Sequence, residues 1–332
     1  MRREIGSEFW DIPLLKTEND MFPADTQWFV SGRSALTAII RDIKSKKVVH
    51  TVAMPSWCCD TVIKPFIDAG IEVRFYPVVW RDSLLQEIDG KCDILFVADY
   101  FGYKSQVSCC HPCMIHDITH SLFSYSVGIG EKYSFGSLRK WCGVKTGGYA
   151  VGVGPDFDGP DKEYVELRKS AMRKKDLYIS GKIEDKDYLN VYAEAEERLD
   201  KMTGVYHADP EDVLAMHRIN SDYIRTRRRD NSKILMEAFR VWLLFQVLNS
   251  DDCPLFVPVL VPYGKRDQLR RYLIDNEIYC PIHWPISEYH NLTTAERFIY
   301  ENELSLVCDQ RYSPEDMKRL IEVVRTFEME EL

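Results

Sequence analysis

The chain has 332 residues, 45% of them apolar and 29% charged, which suits one large domain with a sizeable core plus a smaller one. A net charge of −9 argues against a general affinity for nucleic acid or anionic membranes. The ten cysteines stand singly or in adjacent pairs, the opening MRREIGSEFWDIP has no following apolar run, and stretches such as VWLLFQVL are far too short to span a bilayer. These features predict a cytoplasmic protein with reduced thiols and no signal peptide.

In chain order, the first helix follows SGRSAL at 31–36, with Leu36, Ile39, Ile40 and Ile43 on one face. VVHTVAM reads as a buried strand ending at Pro55, and Val62, Ile63, Phe66 and Ile67 mark a second helix closed by Gly70. IEVRFY, ILFVA (Ile94 to Ala98) and CMIHD (ending at Asp117) follow as strands. Strands and helices alternating at this spacing predict βαβ units and a mostly parallel sheet covered on both faces. Ligands of such sheets gather at the carboxyl ends of the strands, here 55–59, 99–103 and 117–120.

From 162 to 229 the pattern is helical and charge-rich, and the run Arg225, Arg227, Arg228 and Arg229 reads as a solvated helix face. LFVPVLVP is then a strand and RDQLRRYLIDNEI a helix. The last helix begins with Ser313 as N-cap and Pro314 at its first position, and repeats Met317, Leu320, Ile321 and Val324. The expected division is a large domain over 1–229, its helical part 162–229 leading into a small C-terminal α+β domain over 230–332.

Three segments carry candidate chemistry. The turn SGRSAL opens a helix whose free amides, with Arg33 and the Ser34 hydroxyl, would hold an anion; Ser-Gly before a helix is also an ordinary cap. IHDITH ends a strand on Asp117, with His120 three residues later. SFGSLRKWCGVKTGG at 134–148 contains Ser137, two lysines, Lys140 and Lys145, and paired glycines at 147 and 148. The cluster Cys109, Cys110, His111 and Cys113 lacks a second ligand pair, so no metal is expected.

These segments, in this order, resemble the DegT/DnrJ/EryC1/StrS family of sugar aminotransferases, which depend on pyridoxal 5'-phosphate (PLP) and have fold type I. SGRSAL is similar to the family's phosphate turn and IHDITH to its Glu-Asp-Ala-Ala-(Gln/His) strand end. The family's cofactor lysine lies seven residues before the first glycine of a Gly-Gly pair, an interval that Lys140 and Gly147 keep and Lys145 does not. RDQLRRYLIDNEI, the turn IHWPI and the closing ELSLVCDQRYSPEDM extend the similarity to almost the whole chain.

The resemblance implies a large domain built on a seven-stranded, mostly parallel sheet, and Lys140 holding PLP as a Schiff base while acting as general acid and base. It implies Asp117 on the pyridine nitrogen, His120 beside the ring, and Arg33, Ser34 and Ser137 at the phosphate. Trp57 is preferred as the stacking aromatic, although the family's spacing from Pro55 falls on Cys59. The family serine five residues before the lysine is Phe135 here, and the asparagine expected from a neighbouring subunit is replaced near His207. His283 is a candidate on the substrate side. The implied activity is transfer of an amino group from an amino-acid donor to a keto acceptor, a keto-sugar or nucleotide-sugar, by a homodimer with shared active sites. A PLP-dependent lyase or dehydratase and a non-catalytic PLP-binding regulator are the alternatives.

Overall fold

The computed structural model describes residues 4–19, 21–88, 91–104, 111–124, 132–155 and 157–331. A short strand β1 (Ile5–Gly6) precedes β2 (Gln27–Phe29), α1 (Gly32–Lys46), β3 (Thr51–Pro55), α2 (Asp60–Asp68) and β4 (Glu72–Tyr76). Next come β5 (Val78–Trp80), β6 (Leu84–Gln86), β7 (Ile94–Ala98), β8 (Met114–Asp117), β9 (Tyr133–Ser137) and β10 (Gly148–Val151). Four helices follow, α3 (Lys162–Ile179), α4 (Tyr188–Lys201), α5 (Pro210–Met216) and α6 (Ser221–Ala238). The C-terminal part holds β11 (Val257–Leu260), α7 (Arg266–Asp275), β12 (Ile278–Tyr279), α8 (Thr294–Asn302), β13 (Glu303–Leu306) and α9 (Pro314–Glu331).

The sheet has seven strands in the order β2-β10-β9-β8-β7-β3-β4. Pairs among β9, β8, β7, β3 and β4 are parallel, and only β10 runs against its two neighbours. Its α/β class is therefore the expected one. Central strands buried on both faces need continuous apolar runs, which ILFVA and TVAMP supply. Helix α1 lays its stripe on this sheet: Leu36, Ile39, Ile40 and Ile43 are all buried, each contributing about 1.5–3 kcal/mol. Gly70 follows α2 at φ +72°, the left-handed conformation that lets the chain turn directly into β4.

A second apolar cluster joins β11, β13, α7 and α9 to Ile5 at the amino end and to Leu235 of α6. Through β1, which pairs with β12, the amino end joins the C-terminal part. Helix α6 continues unbroken through residue 229.

Three expectations shift. VVHTVAM forms a strand only from Thr51, because Asp93 Oδ2 takes the amides of His50 (2.7 Å) and Thr51 (3.0 Å) at that strand's start. The antiparallel β5–β6 hairpin was not anticipated. The arginine run is not a solvated face. Arg228 is fully buried and Arg225 nearly so, because α6 packs between the sheet and the C-terminal strands.

One tight approach couples the sheet to α1. A Cβ on Gly148 would stand 2.0 Å from the Ser31 carbonyl oxygen and 2.8 Å from the Gly32 amide nitrogen, both backbone atoms that cannot swing aside. Gly148→Ala should therefore destabilise the protein by about 3 kcal/mol, measured by urea unfolding. Gly70→Ala, with nothing within 4 Å and only its positive φ to penalise it, should lose about 1–2 kcal/mol. Equal losses would show that the clash at Gly148 relaxes.

Candidate active site

The carboxyl ends of β2, β3, β7, β8 and β9 open on one cavity of about 650 Å³. From this edge come Gly32 and Arg33 at the start of α1, Trp57 and Cys59 after β3, Asp99 after β7, Asp117 and His120 at the end of β8, and Ser137 and Lys140 at the end of β9. The opposite wall is C-terminal, with Arg270 and Ile274 of α7, Tyr279 of β12, Trp284, and Asp309 and Arg311. Residues Gly6 to Phe9 of the amino-terminal arm close the remaining side.

Lys140 ends a short 3₁₀ turn, Leu138–Lys140, and its side chain is exposed to the cavity. Its ammonium has no hydrogen-bond or ion-pair partner among the described residues. Lys145 is different. Its ammonium lies 2.9 Å from Glu211, 3.5 Å from Asp209 and 3.7 Å from Asp212, away from the cavity wall. Carboxylates thus claim one lysine of the loop and leave the other available.

Asp117 ends β8, half-buried at the cavity, and pairs in register with Ala98 and Phe135. Its Oδ1 accepts from the Thr119 amide at 2.9 Å, and it makes no ion pair among the described residues. Burial pushes its pKa up to about 6 against that hydrogen bond. The other strand-end carboxylate, Asp99, is committed on both oxygens, to His116 Nε2 at 3.1 Å and to the Ser121 hydroxyl at 2.5 Å. A half-buried carboxyl without a countercharge, in surroundings that resist its ionisation, is the group whose ionised form most needs a cation.

His120 is buried, and burial, then the nearby Lys140 charge, pushes its pKa down to about 3. The ring is neutral. Its Nδ1 accepts from the Phe101 amide at 3.3 Å, and its plane lies 5.5 Å from the Trp284 ring at 21°. Trp57 stacks on Tyr100 at 4.8 Å and donates from Nε1 to the His283 carbonyl at 2.7 Å. Cys59, whose Sγ lies 2.8 Å from Thr61 Oγ1, reaches the same wall.

At the opposite end, Ser31 caps α1 by accepting from the Ser34 amide at 3.2 Å. The next amides, Gly32 and Arg33, have no acceptor within the helix and face the cavity. A Cβ on Gly32 would stand 3.4 Å from that of Ser137, so the turn and the end of β9 close one cradle. Ser34 lies outside it, its hydroxyl accepting from the Tyr206 amide at 3.1 Å. The Arg33 guanidinium is on Asp200 at 2.8 Å.

Two expected participants stand apart from the cavity. His283 is buried behind His120, with Nδ1 2.8 Å from the Ser305 hydroxyl. His207 pairs its backbone with Phe29 and Asp158, and its Nδ1 lies 2.9 Å from the Ala208 carbonyl. Cys109 and Cys110 lie outside the described residues. His111 Nδ1 is 2.9 Å from the Cys113 carbonyl, and no cluster of metal ligands occurs among the described residues.

Several contributors carried no motif. Arg139, beside Lys140, pairs with Glu196 of α4. Arg228 and Gln310 hold the residue after Lys140: Gln310 Nε2 donates to the Trp141 carbonyl at 2.6 Å, and its Oε1 accepts from Arg228 Nε at 2.8 Å. Only tertiary packing unites these side chains, which lie 82 to 169 positions apart.

The raised Asp117 pKa has a direct consequence for stability. A carboxyl whose folded pKa exceeds its ordinary 3.8 resists ionising in the folded state, so it favours folding below about pH 4 and opposes it above about pH 6. A rise from 3.8 to about 6 corresponds to about 3 kcal/mol. In cofactor-free protein, Asp117→Asn removes this ionisation. The variant should gain about 3 kcal/mol on the wild type between pH 4 and pH 7, read by urea unfolding at both pH values. A pH-independent difference would mean that Asp117 titrates normally.

No protein-family model matches the chain, and no curated protein matches its sequence. Solved structures do. The chain is similar to Spr1654 from Streptococcus pneumoniae in its PLP form, at 14% identity and a TM-score of 0.64, over 92% of this chain and 88% of that one. It is similar to PseC from Helicobacter pylori, an aminotransferase of pseudoaminic acid biosynthesis, at 14% identity and a TM-score of 0.63, over 97% of this chain and 100% of that one. A DegT DnrJ EryC1 StrS aminotransferase from Brucella abortus aligns at 15% identity with a TM-score of 0.56, over 91% and 85%. The chain has the fold of these aminotransferases over nearly its whole length.

Proposed function

We propose that the chain is a PLP-dependent aminotransferase that moves an amino group from an amino-acid donor to a keto acceptor of the keto-sugar class. One observation carries this reading. Lys140 with its unpartnered amine, Asp117 with its half-buried carboxyl without a countercharge, and Gly32 and Arg33 at the open amide end of α1 all line a single cavity. They correspond to the three polar ends of PLP: the aldehyde carbon, the ring nitrogen and the phosphate.

When bound, PLP supplies a covalent attachment point for amines and an electron sink that acidifies an amino acid's Cα–H. The protein does the rest. Lys140 Nζ would anchor the cofactor and would serve as the base and acid that moves the proton of the substrate Cα. Asp117 holds a proton on the ring nitrogen, and that cation in turn supports Asp117 in its ionised form. The Gly32 and Arg33 amides and the Ser137 hydroxyl bind the phosphate at the positive end of α1. His120, held neutral, packs beside the ring without adding charge, and Trp57 bounds the ring's side of the cavity. The unexpected Arg139–Glu196 pair ties the lysine turn to α4.

The same reading keeps a large domain ending near residue 229 and a small C-terminal one, supported by the separate apolar cluster around β11 and β13. The eight described cysteines are all free thiols, which supports a reducing, cytoplasmic setting. No described helix is long and apolar enough to cross a membrane.

Purified protein supplied with PLP should be yellow, and borohydride should fix the cofactor on Lys140, identified by peptide mass. Lys140→Ala should leave nothing fixed, and Lys145→Ala should not alter the labelling. Label on Lys145 would overturn the assignment.

The homodimer with shared sites belongs to the same proposal, since two-fold pairing is the commonest oligomer and the resemblance implies it. Light scattering should give twice the mass of the 38.8 kDa chain. Mixing Lys140→Ala subunits with subunits altered at His207 should restore partial activity; a fully active monomer would refute the shared site.

A further inference from the structure

Five cationic side chains face the cavity: Arg33, Arg139, Lys140, Arg270 and Arg311. Three are already neutralised. Arg33 is on Asp200 at 2.8 Å and Arg139 is on Glu196. Arg311 grips Asp309 through Nε and Nη2 at 2.9 and 2.8 Å, and gives its remaining donors to the Ser7 and Glu8 carbonyls. Lys140 is the proposed cofactor anchor. Arg270 is left over.

Arg270 stands on α7, one turn before Ile274, so both side chains reach the cavity from the same helix face while Leu269 and Leu273 are buried on another. Its Nε donates to the Cys280 carbonyl at 3.3 Å. That bond orients the guanidinium plane. The two terminal nitrogens have no acceptor among the described residues, and they present a fixed two-donor edge. This geometry matches the two oxygens of a carboxylate or phosphate, which arginine binds more specifically than lysine does. That edge holds no protein group among the described residues, so it is open to a ligand in the cavity.

We propose that Arg270 is a specificity-determining residue whose terminal nitrogens bind an oxyanion of the substrate, a carboxylate of the amino donor or a phosphate of the acceptor. The proposal rests on the aminotransferase reading above. It assigns recognition of the substrate's charge to the C-terminal wall and leaves the chemistry to the strand ends.

The test uses PLP-loaded wild type, Arg270→Gln and Arg270→Lys, each first checked for unchanged melting temperature and for borohydride fixation on Lys140. Calorimetric titrations then use glutarate, a dicarboxylate that cannot react, and inorganic pyrophosphate. The Gln variant should bind one of the two on the order of tenfold to a hundredfold more weakly, with Lys intermediate. Loss confined to glutarate identifies the donor carboxylate as the partner, and KM for L-glutamate should then rise with kcat nearly unchanged. Loss confined to pyrophosphate identifies an acceptor phosphate. Affinities for both probes that are unchanged in the variants, or absent in all three proteins, overturn the proposal. Failure of borohydride to fix cofactor in the wild type would instead overturn the aminotransferase reading, while the titrations would still report on Arg270.

Discussion

A buried charge without a carboxylate partner holds this structure together. Arg228 of α6 is wholly inaccessible, and its guanidinium is met by oxygens and an aromatic face: Gln310 Oε1 at 2.8 Å, the Leu255 carbonyl at 2.8 Å, the Pro254 carbonyl at 3.3 Å, the Trp141 carbonyl at 3.5 Å and the Trp141 ring at 4.5 Å. Removing such an ion from water is expensive by several kcal/mol unless its donors are matched. The acceptors come from three different stretches of chain: the lysine turn, the approach to β11 and the exit from β13. The charge is satisfied only when all three are in place, so the position of Lys140 relative to the C-terminal wall follows from it. Asn231, one turn later, reinforces the seam by donating to the Cys308, Asp309 and Tyr312 carbonyls.

The interior around the cavity is dry enough to set protonation states. Burial raises Asp117, lowers His120 and His283, and pushes Glu303 up to about 8. Glu303 nevertheless has partners, accepting from the His283 amide at 2.7 Å and from the Ser305 hydroxyl at 2.5 Å. His283 is thereby fixed by backbone and ring, and His120 and Trp284 pack against it. A layer of neutral rings thus stands behind the site, and the charges that face the cavity act at low effective dielectric, where a lysine and an aspartate at opposite ends have most effect.

The amino-terminal arm adds a constraint of another kind. Glu4 is buried against Lys175 of α3, with its other oxygen 3.2 Å from the Tyr188 hydroxyl. Two residues on, the Gly6 amide donates to the Tyr312 hydroxyl at 2.7 Å. The same short segment is therefore pinned to the helical part and to the C-terminal part. Its continuation, Ser7 to Phe9, takes the Arg311 bonds and becomes a cavity wall.

Much of this was legible in local pattern. The apolar runs of β3 and β7, the stripe of α1, the Ser313–Pro314 start of α9 and the strand-end position of Asp117 follow from period, capping and turn chemistry, which act between near neighbours. Lys140 was singled out by the family's seven-residue interval to Gly147, and the strand before it, β9, carried no local signal. What local pattern could not reveal is which side chain answers which. Ser34 turned to Tyr206 and not to the cavity, His283 was screened by His120, and two of the run of arginines, Arg225 and Arg228, became buried. Arg139, Arg270 and Gln310 lie in segments that resemble the family, but nothing in the local pattern marked their roles. The sequence by itself determined α1, α2, α7, α9 and the apolar strands β3, β4, β7, β8 and β11, because those depend on interactions a few residues long. Only the tertiary structure decided which charges are neutralised and which remain free, because a charge's partner is chosen by burial and by which distant stretches of chain the fold brings together, as with Arg33 and Asp200 or Arg139 and Glu196.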